Sequence, residues 1–456
     1  MSRLKEQEMD AYIASHQQEI LEELTSFCAQ PSISAQGTGI QEMHTIVTAA
    51  LERRGFSVET ISTPTNSPVV IATAPGASSK SVLFYNHYDV QPPEPFEEWI
   101  TPPFEPSIRD GRIYARGVMD DKGHIICRLA AVDALRAVYG DLPCTVKFII
   151  EGEEETNSPN LAGVIHDHTE QLKSDLCLWE FGDVDTSGVS MQYLGFRGIL
   201  YVELSAQTAE LDAHSGIWGT LLPNAAWRLT WALSLLKDQT GKVLIPGFYD
   251  QVVPPSQTDR ELLAKLPMIP DSDVQQLGAQ SFVQPFSNAL DQYQAAVMSP
   301  SCTICGLNAG YQGDGPKTII PARARAKLDF RLVPDQTPEE IAHKLRRHLD
   351  ENGFSDIQMS ILGSENPSRT PTDHPLVQMV VAAAADVYGQ PQRVLPMSGG
   401  SGPAHLFTEM LQIPIVTVGV GHPDSRIHAH NENIHITDLI NGIRHTARIL
   451  ARMQAD

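Results

Sequence analysis

The 456-residue sequence has no apolar run near the roughly 18 residues that a bilayer-spanning helix requires, which excludes a transmembrane helix. Its first residues, MSRLKEQEMDAYIASH, are polar and contain no apolar h-region, so no signal peptide is expected and the expected location is cytoplasmic. Cysteine is sparse: the six residues Cys28, Cys127, Cys144, Cys177, Cys302 and Cys305 fall mostly in apolar surroundings and read as reduced, buried thiols. Cys302 and Cys305 form one C-x-x-C with no second pair to complete a thiolate zinc site, so the pair reads as structural. Positive charge is also short. With 33 Lys and Arg against 55 Asp and Glu, the net charge of −22 argues against nucleic acid or an anionic membrane as a partner, because both need clustered basic residues. What the chain does have is 42% hydrophobic residues, enough for folded domains, and a length that suggests about two to four of them. It has no internal repeat or low-complexity tract.

Short apolar runs recur, and each ends in residues able to bind a metal. Val82 to Tyr85 has the continuous apolar character of a strand buried on both faces in a parallel sheet, and it stops at Asn86, His87, Tyr88 and Asp89. Val146 to Ile150 ends in Glu151-Gly-Glu-Glu-Glu155, and Leu176 to Trp179 ends at Glu180. Ile413 to Val420 is followed by a polar loop with His422, His428 and His430. Tyr114 to Gly123 is a turn that leads into a helix from His124 to Tyr139, placing Asp120 and Asp121 at a helix N-terminus, where a carboxylate also serves as an ordinary cap. A lone strand-end histidine more often only hydrogen-bonds its loop. Ligands of open α/β sheets, however, gather beyond the carboxyl ends of the strands.

Other periodicities set the organisation. Helices are expected from Lys5 to about Ala29, from Gln41 to Arg54 and from Thr437 to about Met453, with strands at Val69 to Ala74 and Ser81 to Tyr85. Leu200, Val202 and Leu204 alternate with polar residues, as do Ala324, Ala326, Leu328, Phe330 and Leu332, which is the pattern of antiparallel strands with one solvated face. Thr337-Pro-Glu-Glu340 reads as a capping box opening a helix. The expected fold class is therefore α/β, with a mostly parallel-sheet catalytic domain carrying helices on both faces (1–197 and 369–456), interrupted by an α+β domain at 198–368.

The strand-end set comprises His87, Asp120, one or two of Glu153 to Glu155, Glu180 and a histidine among His422, His428 and His430. Imidazole and carboxylate without thiolate suit zinc, cobalt or manganese in a hydrolytic site. Five candidate ligands exceed the needs of one tetrahedral ion with an open position, and two ions bridged by a carboxylate use them all. A neighbouring Glu that binds no ion can then move the proton of the attacking water. Asp89, two residues beyond His87, is placed to accept its second ring N–H.

HYDVQP, RGVMDDKG, EGEEE, the strand ending in Glu180, and HAHNE occur in an order and at spacings that resemble the co-catalytic dizinc aminoacylase/carboxypeptidase family, in particular its carnosinase-like cytosolic dipeptidase branch. The resemblance covers nearly the whole chain. It implies two divalent metal ions, zinc foremost with cobalt or manganese as substitutes, held by His87 and Glu180 on one side and by Glu155 and His428 on the other, with Asp120 as the bridge and Glu154 as the general base. His428 is preferred to His430 because the family pattern His-x-x-Asn-Glu is matched by His428, Asn431 and Glu432. The inserted domain resembles the family's lid and dimerisation domain. There His214 occupies the place of a histidine that the partner subunit lends to the oxyanion, and Arg331 that of an arginine for the substrate carboxylate. Ser398 to Gly402, with Gly400 and Ser401, resembles a substrate-contacting loop whose backbone N–H groups suit a carboxylate. The implied protein is a homodimer acting on small peptides or, in the alternative, on N-acyl or N-carbamoyl amino acids. Glu180 departs from the branch, which usually has Asp there, whereas Glu is common among the deacylases. The insertion of about 170 residues favours the dipeptidases.

Overall fold

The uninterrupted apolar runs become neighbouring strands of one sheet in a computed structural model, which describes residues 3–276 and 278–454. In chain order the two main sheets use β1 (Ser57–Ile61), β2 (Val69–Ala74), β3 (Ser81–His87), β4 (Thr145–Glu151) and β5 (Leu176–Trp179). They continue with β6 (Gly198–Gln207), β7 (Ser301–Ala309), β8 (Arg323–Leu332), β9 (Gln358–Glu365) and β10 (Ile415–Thr417). The principal helices are α1 (Arg3–Ser15), α2 (Gln17–Ala29), α3 (Ile40–Glu52), α4 (Lys122–Tyr139), α5 (Ala225–Ser234), α6 (Pro338–Glu351), α7 (Pro375–Ala383) and α8 (Ile436–Arg452). No helix among the described residues is long and apolar enough to cross a membrane.

The chain divides into two compact units, one of residues 1–195, 369–396 and 406–456, the other of 196–368 and 397–405. The segment Met397–His405, which sequence patterning left with the first domain, groups with the second unit. In the first unit the sheet order is β1-β2-β4-β3-β5-β10. The β4/β3, β3/β5 and β5/β10 pairs are parallel, and an antiparallel β1–β2 edge completes the sheet. Neighbouring residues of β3 point to opposite faces. Phe84 meets Phe148 at 4.8 Å and the Arg128 guanidinium of α4, whereas Tyr85 stacks on Trp179 at 4.3 Å and on Phe407. Both faces are thus covered, as the continuous apolar runs require. Helix α4 also packs against α1, α2 and α8.

The second unit is built around the antiparallel sheet β7-β8-β6-β9. Alternation along β6 and β8 buries Leu200, Val202, Leu204, Leu328, Phe330 and Leu332 against Leu229 of α5 and Ile341, Leu345 and Leu349 of α6. Two local expectations change. The Thr337 side chain caps α6 by accepting the Glu340 N–H at 3.2 Å, but the Glu340 carboxylate pairs with Lys344 one turn on instead of closing the box. Five of the six free cysteines are buried, Cys302 of β7 among them, and Cys305 on the same strand is exposed.

Candidate metal centre

Parallel strands end on a common rim, and that rim gathers the first unit's chemistry. His87, the last residue of β3, is buried and sits opposite Glu151 in the β4 register. Its Nε2 is 3.0 Å from Asp120 Oδ1 and 3.9 Å from Glu180 Oε2, just past the end of β5. On the other side, His428 Nε2 is 2.9 Å from Asp120 Oδ2 and 3.3 Å from Glu155 Oε2. Each oxygen of Asp120 therefore faces a different imidazole.

Two groups of candidate donors result: His87, Asp121 and Glu180, and Asp120, Glu155 and His428, with the donor atoms of each group within 4.8 Å of one another. Oε1 of Glu155 and Oε2 of Glu180 are shut off from solvent without a hydrogen-bond partner. Buried carboxylate oxygens are costly unless a cation compensates them. These orphaned oxygens, with two imidazoles and no thiolate, fit a pair of divalent ions.

The electrostatics point the same way. Burial, Glu154, Asp121 and Asp120 push the Glu180 carboxyl well above its ordinary value against the pull of His87. Glu154 is raised well above its ordinary value by burial and by Asp120, Glu155 and Asp89. Burial would raise Asp120, but its bonds to His428 and His87 hold it well below the usual carboxylate range. Too many carboxylates share too little water here, a surplus of negative charge that dications would neutralise.

Several further contacts hold this arrangement in place. Asp89 takes the His87 Nδ1 at 3.3 Å on its carboxylate and at 3.1 Å on its backbone carbonyl, and the same carboxylate accepts the N–H groups of Glu154 at 3.2 Å and Glu155 at 3.1 Å. It ties the end of β3 to the turn at Glu154–Thr156. Asp121 makes no side-chain cap on α4; its Oδ2 accepts from Asn86 Nδ2 at 2.7 Å and from the His87 N–H at 3.1 Å. Glu153 accepts from Asn160 at 2.6 Å, and His430 pairs with Glu98 at 2.8 Å, so neither joins the donor groups.

Sequence reasoning missed Glu432. It is fully buried, pairs with Arg116 at 2.7 Å and accepts the N–H groups of Gly117, Met119 and Asp120, fixing the turn that presents Asp120. Gly117 has φ of 80°, and a Cβ there would meet Val90 at 2.5 Å, so only glycine suits this turn. The signal was present in the Asn431-Glu432 dipeptide of the matched motif. Asn431 holds the neighbouring loop through the Ile100 N–H and the Glu98 carbonyl.

The second unit has its own polar constellation. Arg331 binds Asp329 through Nε at 3.0 Å and donates from Nη1 to Ser401 Oγ at 2.7 Å, bringing together two residues expected to bind substrate. The Gly400 N–H turns to Ser398 Oγ at 3.2 Å, which leaves it less available to a carboxylate than expected. Arg197, not foreseen, donates its backbone N–H to the Gly400 carbonyl at 2.9 Å and its guanidinium to the Gly399 carbonyl. Burial and then Arg331 lower its pKa to about 10, with Asp329 opposing. Asp329 lies within electrostatic reach of both guanidinium groups and Glu365 within reach of Arg331, so their positive charge is shared with two carboxylates. His214 is exposed, and its Nδ1 accepts the Gly216 N–H at 3.1 Å.

Residues 83–452 match the family model described as Peptidase family M20/M25/M40. The chain is 27% identical to the Beta-Ala-His dipeptidase of Homo sapiens over 470 residues, covering 97% of this chain and 91% of that protein. It is 29% identical to a Cys-Gly metallodipeptidase of Saccharomyces cerevisiae over 420 residues, covering 87% and 84%. Among solved structures, an M20 family metallo-carboxypeptidase from Sulfolobus solfataricus superimposes with a TM-score of 0.90 at 38% identity, covering 96% of this chain and 99% of the other. Human carnosine dipeptidase 1 gives 0.83 at 26% identity, covering 98% of each.

Proposed function

The chain belongs to peptidase family M20/M25/M40, and from that premise we propose that it hydrolyses the peptide bond beside a free C-terminal carboxylate in dipeptides or short peptides, using two divalent ions, zinc foremost. The observation that carries the proposal is Asp120, whose two oxygens face His87 and His428 at 3.0 and 2.9 Å. His87 and Glu180 would hold one ion, Glu155 and His428 the other, with Asp120 between them. When bound, such a pair supplies Lewis-acid polarisation of the scissile carbonyl and acidifies water.

The chain's own residues do the rest. Glu154, anchored by its N–H to Asp89, takes a proton from the attacking water and returns it to the leaving nitrogen. Asp89 fixes the orientation of the His87 ring. Arg331, with Ser401 and the Ser398–Gly400 turn, receives the substrate carboxylate, for which a guanidinium offers a bidentate fit. His214 of the partner subunit meets the oxyanion, so the active species is a homodimer. The exposed Ile304 and Leu307 on edge strand β7 support that assembly.

A second reading has its own observation, the 38% identity to a metallo-carboxypeptidase. The deciding experiment runs dipeptides, the tri- and tetrapeptides ending in the same residue, and N-acetyl amino acids against protein of measured metal content. Faster turnover of dipeptides is expected. Faster turnover of the longer peptides turns the assignment to a carboxypeptidase, and activity confined to N-acetyl amino acids overturns both.

A further inference from the structure

One metal-competent cluster in the first unit plays no part in the proposed reaction. His422, His435 and Asp438 each offer a donor atom, and the three atoms lie within 4.8 Å of one another. His422 is 8% exposed, and its Nε2 is shut off from solvent without a hydrogen-bond partner. The other ring nitrogen, Nδ1, lies 2.9 Å from Ser425 Oγ, which also accepts the His422 backbone N–H at 3.0 Å. The ring is thus held by one edge while the other meets no polar group. A histidine ligand is typically held in this way, with its second nitrogen hydrogen-bonded and the first aimed at the ion. The His435 ring lies nearly parallel to it at 4.0 Å, and His435 Nδ1 is 3.0 Å from Asp438 Oδ2, in the first turn of α8.

We propose that His422, His435 and Asp438 form an accessory divalent-metal site, best matched to zinc, that closes the base of the loop carrying His428. Two imidazoles and one carboxylate are a common zinc donor set, with a fourth position left for water. Tetrahedral donors at zinc distances lie about 3.3 Å apart, so side-chain rotation brings the present donors into range. Arg112 is the neighbouring cation, and its guanidinium is engaged by Asp424 and the Asn433 side-chain oxygen, both at 3.1 Å. His435 is about a third exposed, which gives an ion its entry.

The position gives the site its purpose. His422 and His435 bracket the loop from 423 to 434, whose base is already joined by the Asn433 N–H to the Ser425 carbonyl and by Asn433 Nδ2 to the Asp424 carbonyl, both at 2.9 Å. An ion shared across that base would fix the segment from which His428 projects. The inference does not depend on the peptidase reading, and its test separates the two. Metal-stripped protein is loaded with Zn2+, desalted, and its zinc counted per chain. Wild type is expected to hold three equivalents, and His435→Asn and Asp438→Asn two each. Asp120→Ala, which breaks the paired centre, should keep one equivalent and a zinc-dependent rise in Tm, both lost when His435→Asn is added. Equal zinc in wild type, His435→Asn and Asp438→Asn overturns the accessory site and leaves the peptidase proposal standing. A wild type that holds no zinc overturns both.

Discussion

Asp120 and Glu154 are both partly buried carboxylates within one cluster, and their different surroundings suit them to the different work proposed for them. Asp120 is stripped of its proton by two imidazoles, whereas Glu154 is flanked by other carboxylates and no hydrogen bond fixes its proton elsewhere. Glu154→Gln should therefore retain the metal content of wild type and lose about two to four orders of magnitude in kcat, with KM little changed. Metal analysis beside steady-state kinetics tests this, and near-normal turnover would remove Glu154 as the base. Glu432 is a different case. Arg116 and Glu432 are 2% and 0% exposed, so Glu432→Gln leaves a buried guanidinium without its counter-charge and replaces the oxygen that accepts the Gly117 N–H by an NH2 donor, while the remaining oxygen can still accept from Met119 and Asp120. A cost of about 3–5 kcal/mol in denaturant unfolding is expected, larger than Asn160→Ala should cause at Glu153. At this scale the sequence shows residue type but not engagement. His87 was legible because an apolar run delivers it to a strand end, whereas Glu432 is only a motif position without a role until its partner 316 residues away is in view.

Strand ends account for most of what the sequence revealed, because runs buried on both faces have little choice but to sit side by side and finish on one rim. The antiparallel β1–β2 edge was not legible, since the direction of a short strand leaves no mark on its periodicity. The Glu340 side chain was equally uncertain: Lys344 one turn away competes with the cap, and a charged partner prevails over a backbone N–H. Thr337→Ala should accordingly cost about 1 kcal/mol, the value of a single cap bond. Helix α8 carries a pH dependence. Its His445 is fully buried, donates to the Val380 carbonyl at 3.1 Å, and has a pKa lowered to about 4 by burial. A folded-state pKa below the unfolded one means that the unfolded chain binds the proton first. The stability tied to this residue is thus complete above about pH 6.5 and is lost as pH falls toward 4, up to roughly 3 kcal/mol. His445→Gln keeps a donor for Val380 and should flatten the stability profile between those limits. An unchanged slope would assign the acid sensitivity to other groups.

For the molecule as a whole, the open question is whether one copy suffices. His214 caps its own short helix from an exposed position, and β7 leaves an unpaired edge bearing Ile304 and Leu307, the two features on which the proposed homodimer rests. The grouping of Met397–His405 with the second unit was not legible in the sequence, because it depends on Arg197 and Arg331 binding a glycine-rich loop 202 and 70 residues away respectively. Light scattering should give a dimer, and Leu307→Lys should shift it toward monomer with a fall in kcat and no loss of metal. Complementation is the sharper test. His214→Ala and Glu154→Gln should each be nearly inactive alone, since one lacks the oxyanion donor and the other the base. If His214 acts across the dimer, a mixed dimer contains one site with both residues intact. Random reassortment of equal amounts makes half of all dimers mixed, so about a quarter of wild-type activity should return on co-refolding. If His214 serves its own chain, no mixed dimer has a complete site and activity stays at the level of the parents.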